Sequence, residues 1–153
     1  MTLDVNQPTD QVSNSELPSY IREDRAAINA ISGSGNVGVT DLTVPSGTIS
    51  LTVGSDLGDY GLEIVNIEAA ALVTLATILG GTNGQVKIFI FQDANIDLTD
   101  GAKAGGAFYL NQLPALSDYS PSQDAILALA NIGGDGASNH GYWKELFRTT
   151  PVK

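Results

Sequence analysis

The chain has 153 residues, a formal net charge of −10 at pH 7, no cysteine and a single histidine. This length predicts one domain with a sizeable hydrophobic core, and the lack of cysteine excludes disulfides and thiolate metal sites. The acidic charge argues against nucleic acid or an anionic membrane as a partner, because both select for clustered lysine and arginine. The sequence has no apolar run of membrane-spanning length, and its opening residues lack the basic and apolar regions of a signal peptide.

Residues 1–16 are polar and show no periodic apolar pattern, which predicts an extended arm that builds no core. Leu3 and Val5 are its main apolar side chains, and they lie on the same side of an extended chain. The arm offers many backbone and amide groups for hydrogen bonds to another protein. We therefore expect it to anchor the protein to a scaffold.

Residues 17–32 are predicted to form a short helix, with Pro18 in its first turn and Gly33 as its C-terminal cap. Its apolar side chains recur at nearly heptad spacing at Leu17, Ile21, Ile28 and Ile31. Two alternatives remain open: the helix packs on its own domain, or on symmetry-related helices in a short bundle. The candidate partner-binding residues of the arm and helix are Leu3, Val5, Tyr20, Ile21, Ile28 and Ile31.

Residues 33–153 are predicted to form a β-sandwich domain of the jelly-roll type, after a linker at residues 33–36. About nine short runs with strand patterning follow one another at spacings of about ten residues. They lie at 37–44, 49–53, 60–67, 73–79, 86–91, 96–98, 108–113, 126–132 and 142–147. Short strands at such spacing are typical of a sandwich, jelly roll or barrel.

The run at 86–91 is the most β-prone part of the chain. The preceding Asn83-Gly84 favours a tight reversal between two strands. The run is apolar on both sides, with Val86, Ile88 and Ile90 on one and Lys87, Phe89 and Phe91 on the other. This pattern predicts a strand that is central in the fold, or a sheet with one face in a subunit contact.

The last run, 142–147, holds the only tryptophan of the chain. If it is a strand, Trp143, Glu145 and Phe147 share one side. We expect Trp143 and Phe147 to be buried, because large aromatic side chains usually contribute to packing.

Residues with catalytic or metal-binding chemistry are few. His140 lies in a loop of turn-forming residues, and no Gly-x-Ser-x-Gly elbow accompanies it. Asp93 and Asp97 are candidates for a glycoside-cleaving carboxylate pair, although turn carboxylates are the simpler interpretation. Residues 97–101 and 134–136 resemble calcium loops faintly, without the repeated ligands and closing glutamate of such sites. We expect no enzyme activity, no cofactor and no metal.

Several segments together resemble structural proteins of tailed bacteriophages. Residues 17–29 are similar to a short helical segment near the N-terminus of many such virion proteins. Residues 84–86, 97–101 and 141–148 resemble the β-knob of phage fibres and capsid cement proteins. The resemblance implies a homotrimer with an N-terminal anchoring segment and a solvent-facing β-domain. Its partner would be the major capsid protein or another virion protein, with no nucleic acid or membrane.

The two virion roles differ in the architecture they require. A capsid cement or decoration protein is small and nearly complete in one β-domain, whereas a fibre protein usually carries a shaft repeat. The sequence shows no evident internal periodicity, which favours the cement role. We expect such a protein on the capsid surface of a virion, after production in the host cytoplasm. A head or tail fibre for receptor attachment is the alternative, and a carbohydrate-cleaving enzyme is a distant one.

Overall fold

The computed structural model describes residues 37–111 and 118–149, which lie in the second of two compact units, Asn36–Lys153. These residues form nine strands. They are β1 (Val37–Val44), β2 (Gly47–Thr52), β3 (Leu62–Ala69), β4 (Val73–Leu79), β5 (Val86–Phe91), β6 (Ile96–Leu98), β7 (Phe108–Tyr109), β8 (Ile126–Ile132) and β9 (Tyr142–Thr149). Each of the predicted runs overlaps one strand, so the mainly β class is confirmed. The predicted arm and helix at 1–32 lie outside the described residues.

The strands form a six-stranded sheet, ordered β1-β3-β5-β8-β9-β7, and a three-stranded sheet, ordered β2-β4-β6. The chain alternates between the sheets, so that β1, β3 and β5 are parallel neighbours and so are β2, β4 and β6. Strand β8 then runs antiparallel between β5 and β9. The first six strands therefore stack as three coils of a parallel β-solenoid. A jelly roll, by contrast, is built from antiparallel strands.

The stacked coils contradict the expectation that the chain lacks an internal repeat. Leu62 pairs with Val37, 25 residues before it, and Val86 pairs with Leu62, 24 residues before it. Each coil begins with two apolar residues separated by one variable residue, as in Val37-Gly-Val39 and Leu62-Glu-Ile64. Only the apolar positions recur from coil to coil, and such a pattern is hard to distinguish from ordinary strand alternation.

The Asn83-Gly84 turn reverses the chain but does not form a hairpin. The Gln85 N–H donates to the Thr82 carbonyl over 3.0 Å, which closes the turn. Gly84 has a φ of 89°, whereas Asn83 is not among the residues with positive φ. This combination is the type II pattern rather than the hairpin type. The turn joins β4 to β5, which belong to different sheets, so the predicted pairing across it is wrong.

The hydrophobic core lies between the two sheets and is built from alternate residues of their strands. Its fully buried members include Val65, Ile67, Phe89, Phe91, Leu127, Val73, Leu75, Ile78 and Leu98. Trp143 is also fully buried, as predicted, and its indole Nε1–H donates to the Ile78 carbonyl over 2.9 Å. The indole therefore ties β9 of one sheet to β4 of the other.

The predicted burial of Phe147 is wrong, because a bulge in β9 changes the side on which its side chain lies. Ala128 pairs with Phe147 while Leu129 pairs with Glu145, so Leu146 is an extra residue in the ladder. Glu145 is buried, as the alternation from Trp143 requires, but Phe147 is 50% exposed on the outer side. A bulge depends on the partner strand, and alternation within one strand does not reveal it.

The core also contains one ion pair. Lys87 Nζ lies 2.5 Å from Glu63 Oε2, and neither side chain is exposed. The ammonium group also donates to the Gly58 carbonyl over 2.6 Å. Glu63 Oε1 accepts from Thr40 Oγ1 over 2.5 Å and from the Gly58 N–H over 2.8 Å. These hydrogen bonds compensate the loss of water around both charges.

Candidate assembly surface

The outer faces of the two sheets differ in chemistry. The outer face of the three-stranded sheet is mostly polar, and its polar side chains are Thr48, Ser50, Thr52, Thr74, Thr77 and Asp97. The outer face of the six-stranded sheet is mostly aliphatic. We call its central set the apolar face: Val37, Val39, Leu62, Ile64, Val86, Ile88, Ile90, Ile126, Ala128, Ala130, Leu146 and Phe147. The same domain thus holds one sheet face suited to water and one suited to contact with protein.

In-register pairing aligns the apolar face into continuous rows. One row crosses five strands through Val39, Ile64, Ile88, Ala128 and Phe147. Directly paired residues share a face, so these side chains are adjacent across the sheet. At about 4.8 Å between strands the row is about 19 Å long.

The exposure of the apolar face is greatest at two opposite edges. At the β1 edge, Val37 is 57% and Val39 is 65% exposed. At the β9 edge, Leu146 and Phe147 are 51% and 50% exposed. The residues between them are shielded by their neighbours. Each outward residue takes up about 33 Å² of the sheet, so the apolar face covers on the order of 400 Å², which is in the range of the largest apolar patches on monomeric proteins.

Acidic side chains border the apolar face on the β1 side. Asp41 accepts a hydrogen bond from Asn66 Nδ2 over 2.7 Å, and Glu68 accepts one from Thr43 Oγ1 over 2.8 Å. Both carboxylates are exposed, and they line a shallow depression of about 330 Å³. The β1 side of the face is therefore negatively charged.

Basic side chains border the opposite side, near β9 and β7. Lys144 pairs with Tyr109 in the ladder, and its Nζ lies 4.8 Å from the centroid of the Tyr109 ring. Lys103 Nζ lies 4.6 Å from the same centroid. Tyr142 packs edge-on against Tyr109, with ring centroids 6.0 Å apart. Two cations over one aromatic ring thus form a positive edge on a domain of an acidic chain.

Arg148 and Glu145 complete the charges of β9. The Arg148 guanidinium forms a bidentate ion pair with Glu145 and lies 4.1 Å from the centroid of the Tyr119 ring. Burial alone would raise the pKa of Glu145, but hydrogen bonds from Arg148 and from the Asn111 N–H outweigh it and hold the pKa below its ordinary value. Arg148 is therefore engaged within its own subunit.

The carboxylates considered for glycoside cleavage lie in different surroundings. Asp93 accepts from the Ala69 N–H over 2.6 Å and from the Asn95 N–H over 2.7 Å, so it stabilises the loop before β6. Asp97 lies on β6, on the outer face of the three-stranded sheet. His140 Nδ1 accepts from the Gly80 N–H over 3.0 Å, and it too has a local structural role.

The segment at 134–136, considered as a calcium loop, is closed by hydrogen bonds of its own. The Asp135 carboxylate accepts from the Ala137 N–H over 2.8 Å and from the Asn139 N–H over 3.0 Å, and these bonds lower the pKa of Asp135. Within residues 37–111 and 118–149, no group of three or more acidic or histidine side chains is placed to hold a metal ion. No helix in that part of the chain is long and apolar enough to cross a membrane.

The predicted partner-binding residues of the arm and helix all lie outside the described residues: Leu3, Val5, Tyr20, Ile21, Ile28 and Ile31. The structure instead places Val86, Ile88 and Ile90 on the apolar face, while Phe89 and Phe91 lie in the core. The contributions of β1, β3, β8 and β9 to this face were missed. The available signal was the apolar-x-apolar start of each coil, which repeats on the outer side.

No family model, curated protein or solved structure matches this chain.

Proposed function

We propose that this chain is a non-enzymatic structural protein of a tailed-bacteriophage virion, a capsid cement or decoration protein that binds and stabilises the assembled head as a homotrimer. The apolar face carries this proposal. A chain with a net charge of −10 leaves a broad aliphatic surface in water on one sheet, while the other sheet has a polar outer face. Such a surface is suited to burial against protein. The virion setting comes from the phage resemblance of residues 17–29 and 141–148.

In this proposal, attachment to the capsid and contact between subunits are made by different parts of the chain. Residues 1–16 attach the protein to the major capsid protein, and the β-domain forms the trimer. Ordering an extended arm costs about 1–2 kcal/mol per residue in backbone entropy, so its partner has to supply extensive contacts. A lattice of capsid subunits offers such contacts along a groove or a sheet edge.

A head or tail fibre that attaches to a host receptor is the second candidate, and two observations favour it. Stacked coils are an architecture that lengthens by adding further coils, as a shaft does. The Tyr109 ring, flanked by Lys103 and Lys144, also offers an aromatic and cationic patch for a receptor. Binding of the purified protein to capsids, as opposed to host cells, distinguishes the two roles. A carbohydrate-cleaving enzyme stays a distant alternative, and it would require activity that is lost on changing Asp93 or Asp97.

The test of the cement role uses phage particles that lack this protein. We expect the full chain to bind these particles and to raise the temperature at which they release their DNA. A chain without residues 2–16 should keep the melting temperature of the β-domain and lose particle binding. The double variant Leu3→Asp/Val5→Asp should behave in the same way, whereas Asn6→Asp serves as the matched control with full binding. Equal binding by the truncated and full chains would show that the arm is not the anchor, and absence of binding by the full chain would rule out the cement role.

A further inference from the structure

We propose that the apolar face joins copies of this chain head to tail, with the β1 edge of one subunit against the β9 edge of the next. The contact closes a ring in which every subunit uses both edges. The contact between unlike edges is argued from the structure alone, whereas the number of three subunits rests on the proposed function. The occupant of the face is thus a second copy of this chain.

The net charge restricts where copies of this chain can meet. Two molecules that each carry a formal charge of −10 repel one another, so their contact has to lie where negative charge is sparse. The row of the apolar face from Val39 to Phe147 contains no charged side chain. The rows on either side of it carry one charge each, at Lys144 and at Asp41. The polar outer face of the other sheet offers no comparable gain from burial.

The distribution of exposure favours contact between unlike edges. The most exposed side chains of the apolar face are Val37 and Val39 at one edge and Leu146 and Phe147 at the other. In a head-to-tail contact two different patches of the same chain meet, and repetition of that contact closes a ring when the rotation between neighbours divides a full turn evenly. Each subunit then covers both of its exposed edges.

The charges at the borders point to the same pairing. Asp41 and Glu68 lie at the β1 side, whereas Lys144 and Lys103 lie at the β9 side. A contact between unlike edges brings opposite charges together, while a two-fold contact between like edges would place Asp41 near Asp41. Opposite charges at the rim favour the correct register and disfavour the wrong one.

The size of the face predicts a reversible assembly. The two contacts of a subunit share an area on the order of 400 Å², so each contact buries less than the roughly 800 Å² that each partner buries in a standard interface. We therefore expect the free trimer to dissociate on dilution, and binding to a particle to favour it by placing subunits side by side.

The first test measures the mass of the full-length chain by light scattering across a range of concentrations. We expect trimers that dissociate on dilution, and at least a tenfold higher midpoint concentration for Val39→Asp. The matched control is Leu72→Asp, since Leu72 is 63% exposed like Val39 but lies in the turn between β3 and β4, away from the face. The control should assemble as the wild type does. At concentrations below the assembly midpoint, where all three proteins are monomers, both variants should melt at the wild-type temperature.

The second test separates head-to-tail contact from a two-fold contact. Asp41→Lys should weaken the trimer because the substitution brings a positive charge against Lys144 of the next copy. Lys144→Glu should also weaken the trimer, because it brings a negative charge against Asp41 of the neighbouring copy. The double variant should recover assembly, and all of these effects should shrink in high salt. If like edges met instead, Asp41→Lys would exchange one like-charge pair for another and leave assembly unchanged, and the proposed pairing would be wrong.

Particle binding, measured in parallel, separates this inference from the proposed function. A wild-type monomer at all concentrations, or a Val39→Asp variant that still forms trimers, overturns the inference. If the monomer binds particles and Val39→Asp abolishes that binding, the face contacts the capsid and only the proposed function stands. If Val39→Asp dissociates the trimer but the wild type binds no phage particle, the self-contact stands and the proposed function fails.

Discussion

Replacing Lys87 by methionine tests the role of the buried ion pair in holding successive coils together. The substitution keeps most of the side-chain volume but removes the positive charge. Glu63 retains hydrogen bonds from Thr40 Oγ1 and the Gly58 N–H, but it loses the charged partner that lies 2.5 Å away. Neither side chain of the pair is exposed, so water cannot replace the lost ammonium group.

The expected loss is about 3–5 kcal/mol, the range for removing one partner of a buried pair. That is a large part of the roughly 5–15 kcal/mol that stabilises a typical domain. Urea unfolding followed by circular dichroism measures the change. The double variant Lys87→Met/Glu63→Leu should recover at least about 1 kcal/mol, because no uncompensated charge is left in the core.

The matched control is Lys103→Met, which removes a lysine at the surface and should cost less than about 1 kcal/mol. If Lys87→Met unfolds within about 1 kcal/mol of the wild type, the ion pair does not stabilise the coil stack and the reasoning is wrong. The same conclusion follows if the double variant is less stable than Lys87→Met alone.

Three further predictions concern β9 and its neighbours. In urea titrations, Trp143→Ala should lower the free energy of unfolding by about 3–5 kcal/mol, whereas Phe147→Ala should lower that of the monomer by less than about 1 kcal/mol. If the two variants lost similar amounts of stability, the bulge in β9 would be contradicted. Burial raises the pKa of Tyr119, and its hydroxyl is the one buried side-chain polar atom without a hydrogen-bond partner among the described residues. Tyr119→Phe should therefore raise the stability by about 1 kcal/mol in thermal melts. A marked loss of stability would reveal a hydrogen bond to that hydroxyl. The pKa of Glu145 in the folded protein lies below its unfolded pKa of about 4.3, so the carboxylate stabilises the fold above that pH, and this stability is lost as the pH falls through the folded pKa. Glu145→Gln should therefore lessen the loss of stability between about pH 5 and 3. An unchanged pH profile would exclude this contribution.

The sequence by itself determined the strands and which residues alternate within them. Short apolar runs bounded by turn residues predicted the position of every strand from β1 to β9, since alternation and turn chemistry are local properties. The burial of Trp143 followed from the same local pattern, as did the division of β5 into two sides, but not which of those sides faces the core.

Only the tertiary structure decided which strands pair and what lies on each face. Alternation defines two sides of a strand, but it carries no information on whether a neighbour runs parallel or antiparallel, so the stacked coils were not predicted. Lys87 meets Glu63 only because β3 and β5 pair in register, and the outward position of Phe147 arises from a bulge against β8. These features depend on contacts between residues far apart in sequence, and those contacts also align the separate apolar positions into one continuous face.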